Sequence, residues 1–179
     1  MRRLTLMRHA KTEKDAASGK DRDRRLDGRG ETEAAQIGAW LAANGYLPDV
    51  ALVSTATRAE QTWDLISPYM PHCRAKYLDD LYNADTEQLL EIIHEAVNDS
   101  PATLLVIAHN PGLHELAWNL IGKSEAAERR ALADNLPTAA AVVIDFPQTI
   151  WGNIAFRAGT LKVFITPKRL HEASDADAD

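Results

Sequence analysis

The sequence holds a single cysteine in 179 residues, and this scarcity excludes several classes of protein. Cys73 alone cannot form an internal disulfide bond, and it rules out a cysteine-rich metal site. A chain so poor in cysteine is typical of a reducing compartment. We therefore expect a cytoplasmic protein. His72 and Cys73 have no partners for a metal site, and DGRGE follows no strand and so is no dinucleotide-binding motif, so we expect neither a metal ion nor another cofactor.

Long apolar runs are also missing, and no stretch approaches the roughly 18 apolar residues that a membrane span requires. The first residues, MRRLTLMRHA, carry a basic pair, but their apolar run is too short for a signal peptide. There is no internal repeat and no second domain boundary. We expect no membrane contact and one domain over residues 1–168. The closing HEASDADAD is acidic and lacks large apolar side chains, so residues 169–179 are predicted to be a flexible tail.

Positive charge is scarce except at the start of the chain. The formal net charge is −6, yet residues 1–30 contain ten basic and five acidic residues, a local charge of +5. Positive charge concentrated in an acidic protein favours a site for a small anion, since a nucleic-acid surface usually needs a wider basic face. We expect no nucleic-acid partner. A solvated basic loop is the alternative interpretation of the same charges.

Apolar runs alternate with amphipathic stretches along most of the chain, a pattern that predicts an α/β fold with a largely parallel sheet. The runs predict strands at residues 3–8, 49–54, 102–110, 139–146 and 159–166. Helical spacing predicts helices at residues 30–45, 57–70, 85–99 and 124–134, and another after Pro111 and Gly112. The last two strands are expected to form a ribbon at one edge of the sheet.

Three of the predicted strands end in polar residues that suit phosphate chemistry. The first ends at Arg8 and His9, the second leads through Ser54 to Arg58, and LLVIAHN ends at His109. Because ligand sites in such sheets lie beyond the carboxyl ends of the strands, we expect these residues to converge. Arginine binds phosphate oxygens bidentately, and a neutral imidazole is a competent nucleophile. The combination favours phosphoryl transfer.

Four segments together resemble the histidine phosphatase superfamily. LMRHAKTE resembles its RHG signature, VSTATRAEQTWDLI its second motif, and LLVIAHNPGLHELA its third. DRDRRLDGRGETEA is similar to the Arg-Pro-Leu-Thr stretch of its small SixA-type members. The segments occur in the family's order and span roughly residues 4–120.

The resemblance implies both a fold and a set of site residues. The fold would be a single-domain, three-layer α/β/α sandwich with a mostly parallel sheet, similar to phosphoglycerate mutase. His9 would be the phosphorylated nucleophile, and Arg8, Arg58 and His109 would form the phosphate pocket, with a catalytic part for His109. Arg24 would add a further phosphate contact, as in the small members.

The sequence departs from the family pattern at three places. Ala10 replaces the glycine that usually follows the nucleophile, and Arg25 stands where small members often have proline. Larger members donate a proton from a glutamate after the second helix, whereas this segment reads LDDLYNADTEQ. Asp80 is the candidate acid, with Asp79 and Asp85 as alternatives. These carboxylates could instead cap or flank the next helix, and Asp85 in particular has the features of an N-cap.

The absence of an obvious proton donor bears on the substrate. An alkoxide leaving from a phosphate ester needs a proton, whereas imidazole, whose unperturbed pKa lies near ~6.5, leaves far more readily. The sequence therefore favours a metal-independent phosphatase for phosphohistidine on a protein. The alternatives are a phosphatase of a small phosphorylated metabolite and a phosphate-binding module without catalysis.

Overall fold

A seven-stranded sheet forms the centre of the protein in a computed structural model that describes residues 1–96 and 100–177. Its strands are β1 (Arg2–Arg8), β2 (Val50–Ser54), β3 (Arg74–Leu78), β4 (Thr103–Ala108), β5 (Ile121–Lys123), β6 (Ala141–Phe146) and β7 (Gly159–Ile165). They lie in the order β3-β2-β4-β1-β6-β7-β5. Strand β6 runs antiparallel to both of its neighbours, and the other pairings are parallel. The predicted, mostly parallel sheet is confirmed.

Helices cover both faces of the sheet, so the protein has the three layers expected of an α/β/α sandwich. The helices are α1 (Gly28–Ala43), α2 (Thr57–Ile66), α3 (Thr86–Glu95), α4 (Gly112–Leu120), α5 (Ala126–Asp134) and α6 (Pro167–Asp177). Helices α3, α4 and α5 pack on one face, while α1, α2 and α6 contribute to a second hydrophobic cluster on the other. Within the described ranges, no helix is long and apolar enough to cross a membrane.

The strands that carry the candidate site residues are neighbours at the centre of the sheet. Strand β4 lies between β2 and β1 and is parallel to both, with Arg8 opposite Ala108 at the end of the β1–β4 pairing. Five of the six β4 residues are buried, as expected for a strand covered on both faces. Because the three strands run in one direction, their carboxyl ends open side by side.

Two glycines allow the segments around these strand ends to pack closely. A Cβ atom on Gly30, in the first turn of α1, would overlap the carbonyl oxygen of Lys11. A Cβ atom on Gly112, at the start of α4, would overlap the carbonyl oxygen of Ala84. Only glycine fits where backbone approaches so closely. The segments after β1 and before α3 are thereby held against helices.

The structure adds two strands that the sequence pattern did not predict. Strand β3 pairs with β2 at one edge of the sheet, but its sequence, RAKYL, has no apolar run and is largely exposed. Charged residues are usual on an edge strand because they discourage pairing with other chains. Strand β5 is only three residues long. Strands β6 and β7 do pair, but β5 lies outside them, so they are not the edge ribbon that was expected.

Some helix boundaries differ from the prediction. Helix α2 ends at Ile66 and is followed by a 3-10 turn over Ser67–Tyr69, so the helix predicted to residue 70 is shorter. A proline in that turn disfavours the helical conformation in the residue before it. Helix α3 starts close to the predicted position, and residues 97–99 of the prediction lie outside the described residues.

The C-terminal segment, predicted as a flexible tail over residues 169–179, is helical through Asp177, and its flexibility stays a prediction. Three contacts favour helix α6. The hydroxyl of Thr166 accepts the Arg169 backbone N–H at 3.1 Å, Leu170 packs against the core, and Arg169 pairs with Glu128 at 2.8 Å. Residues 178–179 lie outside the described residues.

Candidate active site

His9 follows directly on β1, and its side chain is held in one orientation. The residue is 6% exposed, and Nδ1 lies 2.8 Å from the carbonyl oxygen of Ala10. Since a carbonyl oxygen can only accept, Nδ1 carries the hydrogen and donates it. In the neutral ring the lone pair is then on Nε2, the atom that would attack phosphorus.

The backbone after His9 is tied to α2. The Ala10 N–H donates to the hydroxyl of Thr62 at 3.0 Å, and that hydroxyl donates to the carbonyl oxygen of Arg58 at 2.7 Å. Ala10 itself is fully buried within the cluster beneath α1 and α2. Its methyl group therefore occupies the core and does not crowd the pocket, so alanine is compatible with the site at this position.

Burial lowers the pKa of His9 to about 3. The Ala10 carbonyl opposes this shift, while His109, Arg58 and Arg8 add to it by electrostatic repulsion of a protonated ring. A lowered pKa means that the imidazole loses its proton at lower pH than a free histidine. At neutral pH His9 is therefore uncharged and able to act as a nucleophile.

We predict that the His9 imidazole remains neutral on acidification from pH 8 to pH 5. Its pKa is lowered to about 3, so protonation requires a pH far below that of an exposed histidine. Titration of the ligand-free protein by NMR of ring-labelled histidine measures this directly, with the exposed His72 as internal control. A midpoint for His9 between pH 6 and 7 would contradict the prediction.

His109 lies beside His9 at the end of β4. The two ring centroids are 5.2 Å apart, and Nε2 of His109 hydrogen-bonds with the Ser54 hydroxyl at 2.7 Å. Burial, followed by repulsion from Arg58, lowers the pKa of His109 to about 4, although Asp21 partly opposes this. Both histidines are thus held neutral in surroundings dominated by positive charge.

Arg8 and Arg58 both contribute to that charge. One terminal nitrogen of Arg8 donates to the Leu136 carbonyl oxygen at 3.2 Å, and burial with repulsion from Arg58 lowers the pKa of Arg8. Arg58, in the first turn of α2, is 5% exposed and donates to Asp21. The Nε atoms of both arginines are buried without a hydrogen-bond partner among the described residues. Unpaired cationic donors favour an anionic ligand.

A cavity of about 300 Å³ opens where the three strands end. All five residues predicted to bind or react with phosphate line it: Arg8, His9, Arg24, Arg58 and His109. The guanidinium group of Arg24 donates hydrogen bonds to Oδ1 of Asp21 at 3.0 Å and to the Thr12 hydroxyl at 2.7 Å. The structure therefore brings together residues that are as far as a hundred positions apart in the sequence.

The carboxylates predicted as candidate acids do not line this cavity. Asp80, the first choice, lines a separate, largely apolar cavity with Leu52 and Ile92 and a second one with Tyr82 and Asn83. Asp79 accepts hydrogen bonds from Thr55 and Arg22. Asp85 caps α3 in a reciprocal capping box with Gln88, as its N-cap alternative predicted. Asp80, the candidate acid, is therefore not among the side chains that line the cavity with His9.

Five residues that were not predicted from the sequence also line the cavity: Lys11, Thr12, Asn83, Asn110 and Thr138. Asn83 is the one contributed by the LDDLYNADTEQ segment, and its φ of 58° places it in the left-handed region that asparagine tolerates. An amide thus occupies the wall where an acid was expected. The YNAD sequence, typical of a turn, was the only signal for this placement.

The sequence and structure both match known proteins. The profile of the histidine phosphatase superfamily (branch 1) matches residues 4–90. Rv1276c of Mycobacterium tuberculosis is 38% identical over 140 residues, which cover 77% of this chain and 85% of that protein. A solved structure from Agrobacterium tumefaciens that bears the name SixA is 30% identical, with a TM-score of 0.78 over 93% of this chain and 98% of the other.

The chain belongs to the histidine phosphatase superfamily. Within it the chain is of the SixA type. A structure of the protein histidine phosphatase SixA complexed with tungstate is also similar, at 25% identity and a TM-score of 0.75, over 94% of this chain and 99% of that one. The expected family and sandwich fold are confirmed. Membership of this superfamily supports phosphatase activity for the protein.

Proposed function

We propose that this protein is a metal-independent phosphatase that removes the phosphoryl group from phosphohistidine on a protein, through a phosphohistidine intermediate on His9. The observation that carries the proposal is the composition of the pocket wall. Among the described residues, the side chains lining the cavity include two histidines and three arginines but no carboxylate. The pocket is thus equipped to bind and accept a phosphoryl group, not to protonate an alkoxide.

The first step transfers the phosphoryl group between two imidazoles. Nε2 of His9 attacks phosphorus, and the bond from phosphorus to the substrate nitrogen breaks. Arg8, Arg24 and Arg58 would offset the charge on the phosphoryl oxygens. The other nitrogen of the substrate ring already carries a proton when the ring is cationic. The ring then leaves as neutral imidazole, without a proton from the enzyme.

The second step returns His9 to its starting state. While His9 carries the phosphoryl group on Nε2, its Nδ1 retains the hydrogen donated to Ala10, so the ring is cationic. Water attacks phosphorus, the Nε2–phosphorus bond breaks, and the ring leaves as neutral imidazole. The proton lost by water passes to the released phosphate or to solvent. Neither half-reaction requires a carboxylic acid in the wall.

The SixA relative bound to tungstate supports the assignment of the pocket. Tungstate is a tetrahedral oxyanion with the shape and charge of phosphate, and that relative shares the fold over nearly the whole chain. A cavity of about 300 Å³ that is lined by three arginines and two histidines would suit the same kind of ligand. This similarity favours phosphate chemistry, while the amide in the wall favours the phosphoramidate substrate.

The test is a comparison of phosphate release from a phosphohistidine protein, an aryl phosphate and common sugar phosphates, with and without a chelator. We expect the phosphohistidine protein to have the highest kcat/KM and the chelator to have no effect. Faster turnover of a sugar phosphate would assign the enzyme to small metabolites instead. Inertness toward every substrate would indicate a binding module, and sensitivity to the chelator would contradict metal independence.

Asp80→Asn is predicted to leave turnover of every substrate within about twofold of the parent, because substitutions that do not touch the reacting groups have small effects. Asp80 lines the cavity shared with α3 and not the one that contains His9. Initial rates on an aryl phosphate and on phosphohistidine protein measure the effect. A loss of an order of magnitude or more, confined to the ester, would show that Asp80 is the general acid after all.

A further inference from the structure

Asp21 is the carboxylate in direct contact with the phosphate-site arginines. Its Oδ2 accepts from Arg58 at 3.1 Å, its Oδ1 accepts from Arg24 at 3.0 Å, and its backbone carbonyl oxygen accepts a second hydrogen bond from Arg58 at 2.9 Å. Both terminal nitrogens of Arg58 are therefore anchored on one residue. This fixes the rotation of a guanidinium group that would otherwise turn about its side-chain bonds.

Tyr82 holds Asp21 in place through a hydrogen bond. The Tyr82 hydroxyl donates to Oδ2 of Asp21 at 2.7 Å, joining segments 61 residues apart. The Tyr82 ring lies under the guanidinium groups of Arg22 and Arg58, at 5.2 and 5.7 Å, and meets His109 edge-on at 5.5 Å. A single side chain thus contacts two arginines, the second histidine and the carboxylate.

Neither residue lines the cavity, so neither is placed to contact phosphate. A carboxylate close to an anion site repels the anion, and this repulsion alone would weaken binding. The hydrogen bond from Tyr82, with Arg58 and Arg24, holds the pKa of Asp21 at about 2, so the carboxylate is charged whenever the enzyme could act. The negative charge of Asp21 is unfavourable beside an anion site. Its presence there is explained if Asp21 orients Arg58 and Arg24.

We infer that Asp21 and Tyr82 form a positioning pair, which holds Arg58 and Arg24 in the orientation that binds the phosphoryl group. The inference rests on the proposed function, since it concerns the same pocket, but it does not depend on which phosphorylated substrate the enzyme takes. Asp21 sets the direction of the two guanidinium groups. Tyr82 fixes Asp21 and packs between the arginines and His109.

Asp21→Asn separates positioning from simple charge. Removing a negative charge should tighten oxyanion binding if Asp21 acts only through its field. If Asp21 positions the arginines, we expect tungstate to bind about 10-fold more weakly and kcat to fall as well, because small displacements of binding groups are costly. Calorimetric titration with tungstate measures binding without any turnover. Unchanged or tighter binding would overturn the inference.

Three further variants complete the experiment. Tyr82→Phe removes only the hydroxyl and should weaken tungstate binding in the same direction but less, and the double variant should show less than additive loss. Asp21→Glu should recover part of the affinity. Glu13→Gln removes the same charge from an exposed side chain that follows Thr12, a residue of the cavity wall, and should bind tungstate as tightly as the parent or more tightly. Equal weakening by Glu13→Gln would overturn the inference.

Failure of the positioning pair can be told apart from failure of the proposed function. If the parent binds tungstate and Asp21→Asn binds it more weakly, the positioning pair stands even when phosphohistidine is not the preferred substrate. If phosphohistidine is preferred but Asp21→Asn binds tungstate as tightly as the parent, the pair is refuted while the function stands. Thermal unfolding of each variant shows whether a loss of binding comes instead from a loss of fold.

Discussion

Replacement of His9 with alanine lowers turnover of a phosphohistidine protein by a factor of about 10⁴ or more, the scale seen when a covalent nucleophile is removed. Among the described residues, His109 is the other histidine that lines the cavity, and its Nε2, the atom equivalent to the proposed nucleophile of His9, is hydrogen-bonded with Ser54. Phosphate release under single-turnover conditions measures the loss. The variant should still bind tungstate, since Arg8, Arg24 and Arg58 are untouched.

His72→Ala is the matched control for this experiment. His72 is exposed, lies in the segment before β3 and does not line the phosphate cavity. Its replacement should leave turnover unchanged. Full activity in His9→Ala would show that the mechanism is wrong, and loss of tungstate binding in that variant would show that the substitution disturbs more than the nucleophile.

Replacement of Arg58 with alanine lowers kcat/KM by about 10³-fold, as expected for a buried cation that stabilises the transferring phosphoryl group. Arg58 is 5% exposed and its charge is close enough to lower the pKa of both histidines. The same variant should therefore raise the pKa of His9 and of His109. Steady-state kinetics and histidine NMR titration measure the two effects separately.

Arg58→Lys and Arg130→Ala are the controls for that prediction. Lysine retains the charge but not the planar set of donors, so it should restore only part of the lost kcat/KM. Arg130 is exposed on α5 and should be neutral when replaced. Full activity in Arg58→Lys would mean that charge alone matters and that the orientation imposed by Asp21 has no consequence.

The residues predicted from sequence and brought together in the cavity share one feature. Arg8, His9 and His109 lie at the ends of buried strands, and Arg58 begins the helix after such a strand. Buried strands are recognisable as apolar runs, and the parallel order of the sheet brings their ends to one edge. Local sequence therefore contained enough information to place these residues.

The residues that were missed depend on contacts across long separations. Asp21 begins a short 3-10 turn, Asp21–Asp23, and Tyr82 directly follows another, Asp79–Leu81. Their relevance follows from the hydrogen bond between these two distant turns. Strand β3 was missed for a related reason, because its residues are those of an exposed edge and are ordered by pairing with β2. Periodicity in the sequence predicts neither the contact between the two turns nor the pairing of an exposed edge strand.

The environment of Asp80 shows what the motif could not predict. The sequence offered Asp80 first, with Asp79 and Asp85 as alternatives. The structure gives each of the three a different environment and places the amide of Asn83 in the cavity wall. The direction of a side chain in a short turn depends on backbone angles that composition does not fix. The N-cap interpretation of Asp85 was confirmed because capping has a local sequence signature.

The most direct test of the central claim is to trap the phosphorylated enzyme. A protein carrying radiolabelled phosphohistidine is mixed with the enzyme, quenched within milliseconds to seconds under alkaline conditions, and the enzyme is digested and mapped. The account predicts transient label on Nε2 of His9, which disappears as free phosphate is released and is absent in His9→Ala. Phosphate release without label on the enzyme, or label on another residue, would contradict the covalent mechanism.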